Sequence, residues 1–387
     1  MKNKFKDIDK MNRKIRVLYV LSGGHLYGDN RSILQTIFAN KDKVDALVCT
    51  TEKGPMTDLL QENNIEYIIV CSAFTPNLSS KRSSFRKWQG WIRRIPLAYW
   101  QLSKIIRKFQ PNIIHSNNSL IFSGYFLAKK FHIPHVWHVR EYQTLDHHLI
   151  NRYIEREKVW LRNSHCIGIT RGIFEFWGMQ EPKDIQIYNG MYSELDLEPY
   201  VYDKKDFFLY SGRIVATKGV HDLLEAFGQF CSFNSTTKLL IAGGYNDNPE
   251  YKNQLDKIVC KYKIQDRVKF LGFVKDMRSL MREAKALIVP SYFEAMGRIT
   301  AEAMLMGCYV IGRNTAGTKE LLERDHAGVL FDDIDGLVNQ MKLVALKSND
   351  EFAKSNLPVM QIAKTHYSSE VNALQILNFY NCILFNK

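Results

Sequence analysis

Two doubly wound α/β halves are what this sequence predicts, on three observations. Short apolar runs alternate with helical stretches from end to end, as parallel sheets covered by helices require. The alternation restarts after a polar, turn-rich segment, Glu194 to Lys205. A chain of 387 residues is long for one core, and 45% hydrophobic content can fill two.

In the first half, the runs Arg16 to Leu21, Val44 to Cys49, Tyr67 to Cys71, Asn112 to His115, His135 to His138 and Cys166 to Thr170 predict strands. Helices are expected between them, near 30–40, 56–64, 97–109, 119–131 and 147–162. The second half repeats the scheme with strands at Phe207 to Tyr210, Lys238 to Ala242, Val268 to Leu271, Ala286 to Val289 and Val310 to Gly312. Its helices fit 219–232, 249–262, 276–284, 298–306 and 317–323, and His366 to Phe385 reads as a terminal helix apolar on one side. The expected domains are residues 1–193 and 194–365, followed by the terminal helix.

Composition narrows the class. Seven cysteines, an odd number without a C-x-x-C pair, argue for reduced thiols in a cytoplasmic protein. Val17 to Leu21 is too short for a signal segment, and no apolar run approaches the ~18 residues that cross a bilayer. The formal charge is +13, with 29 basic against 19 acidic residues in 1–199 and 24 against 21 in 200–387. The excess belongs to the first half.

Much of that excess lies in residues 81–108, which hold nine basic residues, five aromatics and no acid. Basic heads beside Trp and Tyr suit an anionic membrane surface, where each Lys or Arg contributes about 1 kcal/mol. A helix pair with Trp88, Trp91 and Trp100 packed inward is the alternative. No nucleic-acid-binding motif accompanies the stretch, so nucleic acid is not an expected partner.

Residues 290–319 carry the most chemistry. Glu294 and Glu302 stand eight apart among glycines, Glu294 in the loop after a strand and Glu302 about two turns into the next helix. Free N–H groups at that helix start would attract an anion, Gly297 lets backbone approach a ligand, and each Glu can accept hydrogen bonds from sugar hydroxyls. The assembly suits a nucleotide sugar. The plainer alternative is a solvated strand, loop and helix.

Three other segments join it. Ser211-Gly212-Arg213 through Lys218-Gly219 follows the first strand of the second half, and its two cations can sit on a diphosphate. Ser22 to Ser32 joins a strand to a helix, with Gly28 at the turn; it lacks the G-x-G-x-x-G spacing, which argues against a nicotinamide dehydrogenase. Pro134 to Glu141 ends a further strand with His138, Arg140 and Glu141. The Asp-x-Asp triplets, Asp7-Ile-Asp9 and Asp333-Ile-Asp335, lie outside these motifs and read as solvated acids, not metal ligands.

The Glu, seven residues, Glu pattern, followed by Ala303, Met304 and Gly307, resembles the donor-site signature of retaining glycosyltransferases of family 4 (group 1). The Gly212-Arg213 to Lys218-Gly219 run, the Gly28 loop, the Tyr188-Asn189-Gly190 turn and His138 match further motifs of that family. Ala295 and Met296 depart from the family's Pro and Phe, and Asp29-Asn30 from its usual pair after the glycine.

The resemblance implies the GT-B architecture, two Rossmann-like domains facing a central cleft. Residues 1–193 would bind acceptor, 194–365 would bind donor, and a terminal helix at 366–387 would pack back on the first. It implies transfer, with retention, of a sugar from a nucleoside diphosphate, UDP or GDP, to a hydroxyl of a lipid-linked or growing glycan, with no metal or cofactor required. Catalytic roles fall on His138, Glu294, Arg213 and Lys218. Donor contacts fall on Gly28, Gly212, Arg213, Lys218, Phe273, Glu294, Met296, Gly297, Arg298, Ile299 and Glu302. The expected location is the cytoplasm, peripheral at the inner membrane face. An epimerase, a phosphorylase or a non-catalytic nucleotide- or glycan-binding subunit are the alternatives.

Overall fold

The computed structural model describes residues 14–26, 28–71, 85–147, 154–245 and 248–385. The chain divides into two compact units, Met1–Gly190 with Ser369–Lys387, and Met191–Ser368.

The first unit is a parallel sheet of β1 (Ile15–Val20), β2 (Val44–Thr50), β3 (Glu66–Ile69), β4 (Ile113–Ser116), β5 (His135–Val139), β6 (His165–Gly168) and β7 (Ile185–Gln186). Its order is β3-β2-β1-β4-β5-β6-β7, so the winding reverses between β1 and β4. Side chains alternate across a strand, and β1 shows the result. Val17 and Tyr19 pack with Ile33 and Ile37 of the helix Gly28–Ala39 and with Ile376 and Tyr380 of the helix Ser369–Phe385. Leu18 and Val20 point the other way, toward Leu102 and Ile106 of the helix Phe85–Phe109.

The second unit repeats the design with β8 (Lys205–Ser211), β9 (Lys238–Ala242), β10 (Val268–Gly272), β11 (Ala284–Val289), β12 (Tyr309–Arg313) and β13 (Val329–Phe331). The order is β10-β9-β8-β11-β12-β13, again all parallel, with the reversal between β8 and β11. Phe208 and Tyr210 of β8 bury against Val220, Leu224 and Phe227 of the helix Val220–Phe230. The doubly wound α/β class predicted from the alternation is the class observed.

Differences fall where local signals are weak. The helix expected at 97–109 begins at Phe85 and runs through Pro96. A second unexpected helix, Asn349–Tyr367, contains Pro358. An interior proline costs a helix about 3 kcal/mol, and burial offsets it here, through Ala98, Leu102, Ile106 and Phe109 in one case and Phe352, Val359, Met360 and Ala363 in the other. The helices Arg171–Phe176 and Ile334–Ala345 and the two edge strands β7 and β13 were also not expected, the strands being only two and three residues long. The helix expected at 147–162 is described as Thr144–His147 and Ile154–Arg162.

Among the described residues no helix is long and apolar enough to cross a membrane. The basic, aromatic stretch is described from Phe85 onward, and its residues 81–84 lie outside the described residues, as do Tyr27 and Asp7-Ile-Asp9. Side chains are described from Arg93. From there the inward-packed alternative does not hold for Trp100, which is 62% exposed. With exposed Arg93, Leu97, Lys104 and Arg107 it forms one row at helical spacing, opposite the buried Ala98, Leu102 and Ile106. The Lys104 ammonium lies 5.6 Å from the Trp100 ring centroid.

Candidate donor site at the winding reversal of the second sheet

In open parallel sheets, ligands bind beyond the carboxyl ends of the strands where the winding reverses. In the second unit that place is flanked by the segments that follow β8 and β11, which hold Arg213, Lys218, Glu294 and Gly297, with Arg298 opening the next helix.

Close backbone packing joins the two loops. Gly219, at φ +66°, caps the helix Val220–Phe230, and an added Cβ would lie 2.2 Å from the Pro290 carbonyl oxygen. The Tyr292 N–H donates to the Thr217 carbonyl at 3.1 Å. Beneath them, the Gly243 position tolerates no Cβ, which would meet the Gly212 oxygen at 1.8 Å. Lys218 and Glu294 are thereby brought together, Nζ to Oε1 at 2.6 Å, with both side chains about four-fifths buried. The Glu294 carbonyl accepts from the Gly317 N–H at 2.9 Å, which fixes the loop on its other flank.

Gly297 sits at φ +76° and starts the helix Arg298–Leu305. A Cβ there would lie 3.2 Å from the Thr318 hydroxyl and 3.3 Å from that of Thr300. Both hydroxyls are buried without a hydrogen-bond partner. Glu302 is buried one turn further, where Oε1 accepts from Arg298 at 3.1 Å and Oε2 from the Tyr192 hydroxyl at 3.5 Å.

Other candidates are placed differently. Arg213 is exposed, and its carbonyl accepts from the buried Tyr210 hydroxyl at 2.8 Å, whose pKa is raised by burial and then by the Glu294 charge. Met296 is buried, with its backbone against Gly317, so its side chain belongs to the interior. Ile299 is half-buried, and Phe273, beyond the end of the edge strand β10, is 85% exposed. Asp333 caps the helix Ile334–Ala345 by accepting from the Gly336 N–H at 2.8 Å, a structural role for the second Asp-x-Asp triplet.

In the first unit, His138 is wholly buried at the end of β5. Arg140 donates to its Nδ1 at 3.2 Å, which leaves the ring proton on Nε2, and that nitrogen has no hydrogen-bond partner. Burial first, then the charge of Arg140 and neighbouring His115, push its pKa well below the ordinary value, so the ring is neutral. Arg140 also reaches Asn117 and Asn189, the latter from the Tyr188-Asn189-Gly190 turn. Gly28, expected at the turn before its helix, is the first residue of that helix, with the Ser32 hydroxyl on its carbonyl at 2.8 Å. Gly24 serves packing: a Cβ there would meet the Lys53 backbone at 2.6 Å.

A cluster beside Glu294 was not legible in the sequence. It consists of His221, Asp222, Tyr292 and Arg313, whose contacts join residues 70 to 91 positions apart.

The family described as Glycosyl transferases group 1 matches residues 196–353, and Glycosyltransferase Family 4 matches residues 56–167. The chain is 25% identical over 178 residues to the capsular polysaccharide biosynthesis glycosyltransferase CapM of Staphylococcus aureus, covering 45% of this chain and 46% of that protein. It is 27% identical over 205 residues to the N-acetyl-alpha-D-glucosaminyl L-malate synthase of Bacillus anthracis, covering 50% and 51%. The chain spans about a third to a half of the length of such curated relatives. In fold it is similar to Anabaena HepE, whose crystal structure is a complex with UDP, at a TM-score of 0.77 and 18% identity over 94% of this chain and 99% of that one. With the two matches on its two halves, each half a doubly wound parallel sheet, the chain belongs to the group 1, family 4 glycosyltransferases of GT-B fold.

Proposed function

We propose that this protein transfers a sugar, with retention, from a nucleoside diphosphate to a hydroxyl of a lipid-linked or growing glycan. The observation that carries the proposal is the Lys218–Glu294 pair beside the N-terminus of the helix Arg298–Leu305, at the winding reversal of a parallel sheet. Lys218, Arg213 and the helix N–H groups supply positive potential where a diphosphate leaves. Glu294 offers acceptors to sugar hydroxyls and Glu302 to the ribose. Gly212, Gly297, Arg298 and Ile299 contribute backbone contacts, and Phe273 flanks the base. As the anomeric carbon to phosphate oxygen bond breaks, negative charge collects on the diphosphate, and fixed cations favour that state. The acceptor oxygen bonds to the same face of the anomeric carbon, and its proton passes to the departing phosphate oxygen. His138 would donate a hydrogen bond to substrate through Nε2, and Gly28 would line the acceptor loop. HepE's complex with UDP favours a uridine donor for this chain as well.

A thermal-shift panel of uridine, guanosine and adenosine diphosphates and their sugars tests the donor. At a ligand concentration 100-fold above Kd the stabilisation is about 2.7 kcal/mol, roughly 5–10 °C for a domain of this size. UDP and one UDP-sugar are expected to give that shift, and Arg213→Ala and Glu302→Ala to reduce it to near zero. A flat panel would sink the donor assignment.

The acceptor context rests on the exposed row Arg93, Leu97, Trp100, Lys104 and Arg107. We propose that this row lies on an anionic membrane, Trp100 at the headgroup boundary. Vesicles rich in phosphatidylglycerol should retain the protein at low salt, and phosphatidylcholine vesicles should not. The pair Trp100→Ala, Lys104→Glu should lower retention about tenfold or more, given roughly 1 kcal/mol per basic residue and a smaller aromatic share. Equal retention of wild type and variant would remove the row from the interface.

A further inference from the structure

The Glu294 carboxylate is held by more than Lys218, because the loop that carries it is clamped from two sides. Asp222 lies in the first turn of the helix Val220–Phe230, and Arg313 ends β12. The guanidinium of Arg313 donates through Nη2 to Asp222 Oδ2 at 2.5 Å and through Nε to the Pro290 carbonyl at 2.9 Å. It also lies 4.6 Å from the centroid of the Tyr292 ring. The Tyr292 hydroxyl donates to the same Asp222 oxygen at 2.8 Å.

The hydroxyl's remaining capacity is used as well. His221 Nε2 lies 2.9 Å from it, and His221 Nδ1 lies 3.1 Å from the Tyr251 hydroxyl. One direction satisfies every member: Tyr251 O–H to Nδ1, Nε2–H to the Tyr292 oxygen, and Tyr292 O–H to Asp222. Asp222 and Arg313 are each nearly nine-tenths buried, so neither is a freely solvated surface charge.

We infer that Asp222, Arg313 and Tyr292 are positioning residues that set where Glu294 meets the donor sugar. The inference rests on the reading that Glu294 contacts that sugar. Pro290 and Tyr292 are pinned by Arg313 and Asp222, and Glu294 follows two residues later with its carbonyl tied to Gly317. Losing the pins lets the carboxylate drift, while the Tyr292 N–H on the Thr217 carbonyl, a backbone bond the variants leave intact, keeps the loop seated against Gly219. The effect therefore falls on the sugar and spares the nucleotide.

The test compares Asp222→Ala, Arg313→Ala, Tyr292→Phe and the double variant Asp222→Ala, Arg313→Ala. Affinities for UDP and for UDP-glucose are measured by calorimetry, and hydrogen exchange of residues 290–297 by mass spectrometry in the ligand-free protein. Asp222→Ala and Arg313→Ala should weaken UDP-glucose about tenfold and UDP less than about twofold, as misplacement of a binding group by a fraction of an ångström does. The double variant should be no worse than either single one, because the two act as a unit. Arg313→Lys keeps the charge and loses the fork, and should fall between.

Exchange at 290–297 should quicken in all of them. Equal weakening of both ligands together with a large fall in melting temperature would make the cluster merely structural and overturn the inference. Unchanged affinities and unchanged exchange would overturn it too. If the wild-type protein binds neither ligand, the donor reading fails by itself. The clamp is then judged by exchange alone, quickening upholding it and constancy ending it.

Discussion

Gly219→Ala is expected to abolish nucleotide-dependent stabilisation and weaken donor binding about a hundredfold, which is roughly 2.7 kcal/mol. Two costs combine at this position. At φ +66° alanine, like most L-residues, is strained by about 1–2 kcal/mol. The Cβ would also overlap the Pro290 carbonyl oxygen at 2.2 Å, backbone that must move. That carbonyl accepts from Arg313, and its loop leads to Glu294, so the displacement propagates into the pair with Lys218. Gly219→Asn separates the causes, because asparagine tolerates a left-handed backbone but carries the same Cβ. If the clash governs, Asn and Ala lose binding alike; if strain governs, Asn recovers much of it. Calorimetric titration with UDP, alongside thermal unfolding, reads both, and an alanine variant that binds like wild type would sink the packing argument.

Lys218→Ala should reduce transfer by a factor of about 100 to 1,000, the usual effect of deleting one preorganised donor at a site of developing negative charge. Stability should also fall, by about 1–3 kcal/mol, since removing the ammonium leaves the Glu294 carboxylate, about four-fifths buried, without its partner. Lys218→Arg retains charge but replaces a point ammonium with a wider fork, and should recover only part of the rate. Glu294→Gln should also slow transfer, and the double variant should fall short of the product of the single effects, because the two side chains touch at 2.6 Å. The measurement is turnover of the selected nucleotide sugar with acceptor at saturation. A normal kcat in Lys218→Ala with only KM raised would confine the lysine to ground-state binding.

The strand and helix alternation was legible because strands buried on both faces are apolar throughout, and most connecting helices carry a face that shows in the sequence. β7 and β13 were not, because two or three residues carry no period. The helices through Pro96 and Pro358 were hidden by a local rule that burial overrides. In the second unit, Lys218 and Glu294 could be placed in loops following strands, and their 2.6 Å approach depends on which strands neighbour in the sheet. Asp222, Tyr292 and Arg313 are each unremarkable in sequence, and only folding across β8, β11 and β12 makes them a cluster. The burial of Met296 was likewise invisible, since it follows from the contact with Gly317.

The first unit is assembled from two separate pieces of chain, residues up to Gly190 and the helix Ser369–Phe385. Ile376 and Tyr380 fill the same core as Tyr19 and Ile33, while Asn372 accepts from Thr36 and donates to the Tyr188 carbonyl, both at 2.6 Å. On the ribosome, therefore, the amino-terminal sheet emerges some hundred and eighty residues before the helix that seals it. Its apolar face waits uncovered while the second unit is synthesised, so chaperone demand should peak during that interval and nonsense truncation before residue 376 should send the nascent product to proteolysis.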